Sequence, residues 1–347
     1  MQVNLFPSKT IKYPWQEKIG IFAAQKMLRA MLKSKSFLIY LSVILAQVFW
    51  AMTFVWYRQF FELYGNYPMT LVLFRLLLSS AILVTVTLLL GKLEKIRPGD
   101  LKFFVALAFF EPFVYFMGEA FGMTMISSTV ASVIISTIPL FAPVGAYFFH
   151  QERLTRTNFA GIILSIVGVL MVLVNKEFNL VASPMGVALM FLAVAAALGY
   201  GLVVKTLIKS YNVFTITTYQ NSIGSLFFIP LFFSLEFKHF KAVPFTFDVF
   251  LLILLMTVFA STLAFLLFGY AIKHLGINKA SVFNNSIPVI TAIVAFLLLG
   301  ELLTPIQVLG MGVVIGGVFL SQMSRAKFKL AGSFVKGGYN YARNRKS

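Results

Sequence analysis

Apolar residues run along this chain in blocks of about twenty, separated by short polar connections. Ten such blocks can be marked, over residues 37–57, 69–90, 101–121, 126–149, 158–175, 184–204, 213–234, 247–271, 279–299 and 304–323. A helix needs about 20 largely apolar residues to cross a bilayer. The pattern therefore predicts an all-α membrane protein with ten transmembrane helices. The connections leave no room for a soluble domain between spans. Residues 1–36 and 324–347 lie outside the bundle.

A stretch of the first half returns 149 residues later without a gap. Ala131-Ser132-Val133 returns as Ala280-Ser281-Val282, Ile138-Pro139 as Ile287-Pro288, and Glu152 as Glu301. Leu154-Thr155 returns as Leu303-Thr304, Gly161 as Gly310 and Gly168 as Gly317. Over residues 131–170 against 280–319, 13 of 40 positions are identical. Val and Ile matches come cheaply in so apolar a chain, but the Pro, Glu, Thr and Gly matches do not. The reading is two five-helix repeats, 37–175 and 184–323. Internal duplication of this kind is the usual build of a secondary transporter.

Charge sets the orientation. With the N-terminus taken as cytoplasmic, 24 of the 29 Lys and Arg fall on the cytoplasmic side. Arg58, Lys176, Lys238 and Lys241 fall on the other, and Arg75 lies inside the second span. The positive-inside rule then places both termini in the cytoplasm of a multi-pass cell-membrane protein. Five crossings per repeat invert the second repeat relative to the first, which puts a shared cavity near the membrane midplane.

The charge distribution also explains the net charge of +18 without a nucleic-acid partner. Residues 1–36 form a basic tail in which Lys18, Lys26, Arg29 and Lys33 share one helical face opposite Ala24, Met27, Leu28 and Met31. That is the pattern of an amphipathic helix on anionic lipids. No signal-peptide cleavage site follows it. Residues 324–347 are basic, glycine-containing and expected to be disordered. Hydrophobic residues are 59% and charged residues 12% of the chain, against roughly 25% charged in soluble domains. There is no cysteine and only three histidines, each near a loop end. No metal site and no cofactor is expected.

The pattern resembles the drug/metabolite transporter superfamily, specifically its EamA-type members, over residues 37–323. Two copies of one signature carry the resemblance. The first is Ser128 to Val133, then Pro139, Glu152-Arg153-Leu154-Thr155, Gly161 and Gly168. The second is Lys279 to Val282, then Pro288, Gly300-Glu301-Leu302-Leu303-Thr304, Gly310 and Gly317. The resemblance implies ten helices in two inverted five-helix repeats that move small organic solutes. Arg75 is similar to a basic position common in that family, and its counterpart in the second half is read as Gln220, each following an aromatic residue. Glu111 and Glu119 are not general family features and point to a subgroup with its own substrate chemistry.

Arg75, Glu111 and Glu119 are the ionisable acids and bases read as lying inside spans. A charge at membrane depth costs about 2.5–3.5 kcal/mol on insertion scales, so each should face the bundle interior. Glu111, Tyr115 and Glu119, spaced i, i+4, i+8, form one polar stripe on the third helix. They are candidates for substrate binding or proton coupling. The competing reading is a structural Arg75–Glu119 pair. Asn284 and Asn285 precede Pro288, as Ser136 and Thr137 precede Pro139. A proline frees a backbone carbonyl about four residues back, and such breaks can bind solutes or merely shape packing. Gln47 and Trp50 in the first span and Tyr200 in the sixth occupy corresponding places, with Trp50 deep enough for a cavity. Gly161, Gly168, Gly310, Gly312, Gly316 and Gly317 read as close helix packing, and a homodimer through them is allowed.

The expected function is a secondary transporter of a small organic metabolite, an amino acid, amine or similar solute. It would work by alternating access and in the export direction. Proton coupling through Glu111 or Glu119 and facilitated diffusion both stay open. The site would be walled by spans one, three, four, six, eight and nine. A membrane-embedded lipid-modifying enzyme would need a catalytic cluster that the sequence does not show. A scaffold or receptor has no use for costly intramembrane Glu, Arg and Asn residues.

Overall fold

The computed structural model describes residues 35–141, 155–174 and 182–321. The basic tails, the end of the fourth span and Glu152 lie outside these residues. Besides the short helices Phe237–Ala242 and Ile277–Ala280, ten longer helical stretches are seen among those described: α1 Lys35–Tyr64, α2 Pro68–Leu89, α3 Pro98–Met123, α4 Ser128–Phe141, α5 Arg156–Leu173, α6 Pro184–Leu207, α7 Val213–Leu235, α8 Phe247–Leu275, α9 Ser281–Leu299 and α10 Pro305–Ser321. Of these, α1, α2, α3, α5, α6, α8 and α9 are long and apolar enough to cross a membrane, while α4 and α10 are shorter as described. Helix α7 has the length, but Thr215, Thr217, Thr218, Gln220, Asn221 and Ser222 lower its hydropathy.

Local signals set the ends. Helix α1 stops at Gly65, whose φ of 98° suits glycine. Pro68 then opens α2, where a missing N–H costs nothing. Ser127, Ser183, Asn212 and Thr246 cap α4, α6, α7 and α8 through their side chains. Helices α5 and α10 start on the same reciprocal cap. Thr155 pairs with Asn158, and Thr304 with Gln307.

Helices α5 and α10 meet across what behaves as a two-fold axis. Ser165 donates to the carbonyl of Val314 at 3.2 Å, the residue 149 positions on. Asn158 donates to Ser321 O at 2.6 Å, and its repeat mate Gln307 donates to Val172 O at 3.4 Å. Gly161 abuts Gly317 while Gly168 abuts Gly310. Each contact is its partner with the two halves exchanged, as a self-complementary two-fold contact requires.

A second reciprocal pair joins α2 to α7. Glu236, just after α7, accepts the N–H groups of Met69 and Thr70 at 2.9 and 2.6 Å, at the start of α2. Glu94, just after α2, accepts the N–H of Asn212 at 2.7 Å, at the start of α7. Carboxylates at helix N-termini meet unpaired donors and a favourable dipole.

The glycines give a stability prediction. A Cβ on Gly168 would lie 2.6 Å from Val314 N and 2.7 Å from Gly310 O, whereas one on Gly312 or Gly316 meets nothing within 4 Å. Gly168→Val should cost at least about 1–3 kcal/mol by overpacking against rigid backbone. Gly312→Val should leave thermal unfolding in detergent nearly unchanged. Equal unfolding temperatures for the two variants would contradict this packing.

Helices α3 and α8 are both interrupted by a widened π turn, at Phe109–Val114 and Met256–Leu263. Shifted by 149, the first falls on residues 258–263, inside the second. In α3 the cause is Pro112, which lacks an N–H and drives the residue before it out of helical space. Glu111 sits at φ −147°, ψ 115°. The stripe at 111, 115 and 119 is therefore not one continuous helical face. The Pro112 ring rests on α7 where Gly224 leaves space for it. In α8 there is no proline. The Ser261 carbonyl instead accepts from Asn221 at 2.9 Å and Ser79 at 3.3 Å, so α2 and α7 satisfy a widened turn.

Candidate functional site

The break in α3 and the turn into α9 border one cavity. It is lined from α1 (Trp50, Thr53, Phe54), α2 (Arg75), α3 (Glu111, Tyr115, Phe116, Glu119) and α4 (Ile135, Ile138). Ala197, Tyr200 and Gly201 of α6, Phe265 and Phe268 of α8, and Ile277, Ser281, Asn284 and Ile287 at α9 close it. Both halves of the chain contribute. The six helices expected from the sequence are all in the wall, with α2 added through Arg75. The centre of a water-sized sphere can move over about 80 Å³ of it, and a single water needs roughly 10–15 Å³ by that measure. A small organic solute fits. Its lining includes half-buried Ile277 and Ser281, where α8 gives way to α9, and Arg75 and Glu119, which are 1% and 4% exposed.

Arg75 is held from three directions. Its Nε donates to Ser261 Oγ at 2.8 Å and its Nη1 to the Tyr57 hydroxyl at 3.1 Å. The guanidinium lies 4.3 Å from the centre of the Phe116 ring, within cation–π range. Glu119 accepts from the Tyr115 hydroxyl at 3.1 Å, and the Tyr57 hydroxyl lies against it. Arg75 and Glu119 thus communicate through Tyr57. Among the described residues, the ion pair within 4.0 Å is Arg58–Glu62 on the surface, so a direct Arg75–Glu119 pair is not formed.

Glu111 is 8% exposed, lines the cavity and receives no hydrogen bond from the described residues. Its extended backbone turns it out of the α3 ladder. Trp50 packs edge-on against Phe265 and Phe268 at 5.5 and 4.9 Å. It lines the cavity. Tyr200 meets Phe265 at 6.5 Å. Asn284 lines the wall at 7% exposure with its Oδ1 unpartnered.

The structure brings seven of the ten sequence candidates to this cavity: Glu111, Glu119, Arg75, Asn284, Trp50, Tyr115 and Tyr200. Gln47, Asn285 and Gln220 are buried but do not line it. Gln220, read as the counterpart of Arg75, makes no hydrogen bond to the groups that hold the guanidinium. Its neighbour Asn221 does, donating to Ser79 at 2.8 Å and to Ser261 O. The break near Pro288 also differs from a kink. Ser281–Ser286 is a 3₁₀ stretch, and Pro288 sits in the first turn of a fresh α-helix from Ile287. Ser136 and Thr137 likewise end the first part of α4, each bonding a carbonyl three residues back at 2.7 and 2.6 Å.

Ser261, Phe116 and Asn221 were not anticipated. The run Ala260-Ser261-Thr262 inside an apolar span was the available signal for the first.

Comparisons with known proteins agree with this architecture. The sequence profile of the EamA-like transporter family matches residues 37–174 and again 184–323. A protein of Archaeoglobus fulgidus named an uncharacterized transporter is 31% identical over 238 residues, covering 69% of this chain and 83% of its own. The uncharacterized transporter YdfC of Bacillus subtilis is 29% identical over 280 residues, 78% of this chain and 86% of its own. A Streptantibioticus cattleyicolor protein named a probable terminal-alkyne amino-acid exporter is 26% identical, covering 80% of this chain and 91% of its own. A protein of known crystal structure superposes with a TM-score of 0.59 at 14% identity, covering 85% of this chain and 99% of that one; this is a likeness of fold.

Proposed function

The chain belongs to the EamA-like transporter family, and on that premise we propose a secondary transporter of ten crossings in two inverted repeats, moving a small organic metabolite by alternating access. The observation that carries the reading is the cavity itself. It lies between the halves, is walled from both, and holds charged and aromatic side chains where a purely structural core would be apolar. The mirrored α5–α10 and α2–α7 contacts support an inverted repeat, because an in-plane two-fold axis produces such exchanges. The charge split supports cytoplasmic termini in a cell membrane, with the basic tails on anionic lipids.

In that orientation the cavity extends toward the cytoplasm at Ile277 and Ser281 and ends outward at Arg75 and Glu119. A solute would load from inside, as an exporter requires. The exporter name of the Streptantibioticus relative supports the direction and an amino acid or amine as solute. A lipid-modifying enzyme or a receptor would find no use for a cavity closed at one end by a held arginine.

Two measurements test the proposal. The chain has no cysteine, so single cysteines report cleanly. A membrane-impermeant maleimide should label Leu302→Cys in intact cells and Lys209→Cys only after permeabilisation. Labelling of both from outside would refute the orientation. Proteoliposomes should show saturable counterflow of the solute that most raises the protein's melting temperature. Ser281→Cys, once alkylated with a bulky reagent, should stop it. Counterflow indifferent to that plug would place the pathway elsewhere.

A further inference from the structure

We infer that the cavity is built for an organic cation, an ammonium head on an apolar body, with Glu111 as its counter-ion. This rests on the reading of the cavity as the solute site and narrows it to one charge class. Three ionisable groups of opposite sign line the wall, and their bonding is unequal. Arg75 spends its Nε on Ser261, its Nη1 on Tyr57 and its face on Phe116. Glu119 is met by Tyr115 and Tyr57. The positive charge and one negative charge are thus engaged within the protein. Glu111 is the charge left over.

A desolvated carboxylate without donors is costly unless a cation or proton meets it. The rest of the wall favours the cation. Trp50, Tyr115, Phe116, Tyr200, Phe265 and Phe268 surround the space with aromatic rings, whose faces attract ammonium groups. Asn284 gives a second, independent sign that a polar ligand is expected: a cavity-lining amide more than nine-tenths buried, with an unpartnered Oδ1. An anionic solute would meet Arg75 with two of its N–H groups and one face already engaged, and would also face the carboxylates of Glu111 and Glu119.

The test uses four probes that share a phenyl body and differ in charge: phenethylammonium, 2-phenylethanol, 3-phenylpropionate and zwitterionic phenylalanine. Each is titrated calorimetrically into the full-length protein in nanodiscs. Phenethylammonium should bind at least tenfold more tightly than the other three. Glu111→Gln should reduce it to the affinity of the alcohol. The wild-type series tests the claim even if the variant folds poorly. Equal or tighter binding of 3-phenylpropionate or phenylalanine overturns the inference, as does binding of none of the four. An undiminished amine preference in a folded Glu111→Gln protein overturns it too. Flux separates this from the transport reading. If another charge class binds and is transported, the inference fails and transport stands. If the amine binds through Glu111 yet no probe crosses proteoliposomes, transport fails and the site stands.

Discussion

Arg75→Met should abolish flux and lower stability by about 3–5 kcal/mol. The side chain is 1% exposed and joins α2 to α1, α3 and α8. Two hydrogen bonds from a charged donor are worth about 1.5–3 kcal/mol each, and a desolvated cation–π contact about 2 kcal/mol. Entropy regained by the freed chain offsets part of that sum. The loss also leaves Glu119 without its nearest cation. Arg75→Lys should recover less than half, because a single ammonium cannot reach Ser261 and Tyr57 while stacking on Phe116. Denaturant unfolding in mixed micelles measures all of these. Arg75→Met with Glu119→Gln should be at least about 1 kcal/mol more stable than Arg75→Met alone, since contacting charges couple. A double variant no more stable than the single would mean that Tyr57 does not link the two charges.

The second large effect concerns Glu111. If solute flux in proteoliposomes responds to a pH gradient, Glu111→Gln should remove that response. The amide imitates the protonated acid and cannot release a proton. Exchange of solute for solute needs no proton and should persist. It should require at least tenfold more solute, because the counter-ion is gone. The competing view makes Glu111 a structural carboxyl. It then predicts unchanged flux and affinity in the variant, and a pH response equal to wild type would end the coupling role.

Much of this architecture was legible because hydrophobic blocks and a gapless repeat are strong signals. The α5–α10 contact could be anticipated from glycines recurring at Gly161, Gly168, Gly310 and Gly317, since small residues allow close backbones. Other features were hidden for physical reasons. Pro112 was in view, but the spacing of Glu111, Tyr115 and Glu119 assumes an unbroken helix that Pro112 prevents. The three still share a cavity because the chain resumes helix immediately after the break. The widened turn in α8 contains no proline, so nothing local announces it. Glu94 and Glu236 lie in connections, where periodicity says nothing about partners more than a hundred residues away. Asn221 gave no local sign of its role, because its partners Ser79 and Ser261 lie on two other helices.

The two halves of this protein repeat a motif and mirror several contacts, but their charges do not match. Under the 149-residue shift, Glu111, Tyr115 and Glu119 correspond to Ala260, Ala264 and Phe268. Two halves with identical side chains would give inward- and outward-open forms of equal energy by symmetry. Here any preference between the two forms would arise from positions where the halves differ, and the unmatched carboxylates stand among them with Arg75. Moving a carboxylate from α3 to its mate on α8, as Glu111→Ala with Ala260→Glu, should shift that bias without changing the number of charges. For a carrier that alternates in this way, the resting orientation would be written in a few unmatched side chains.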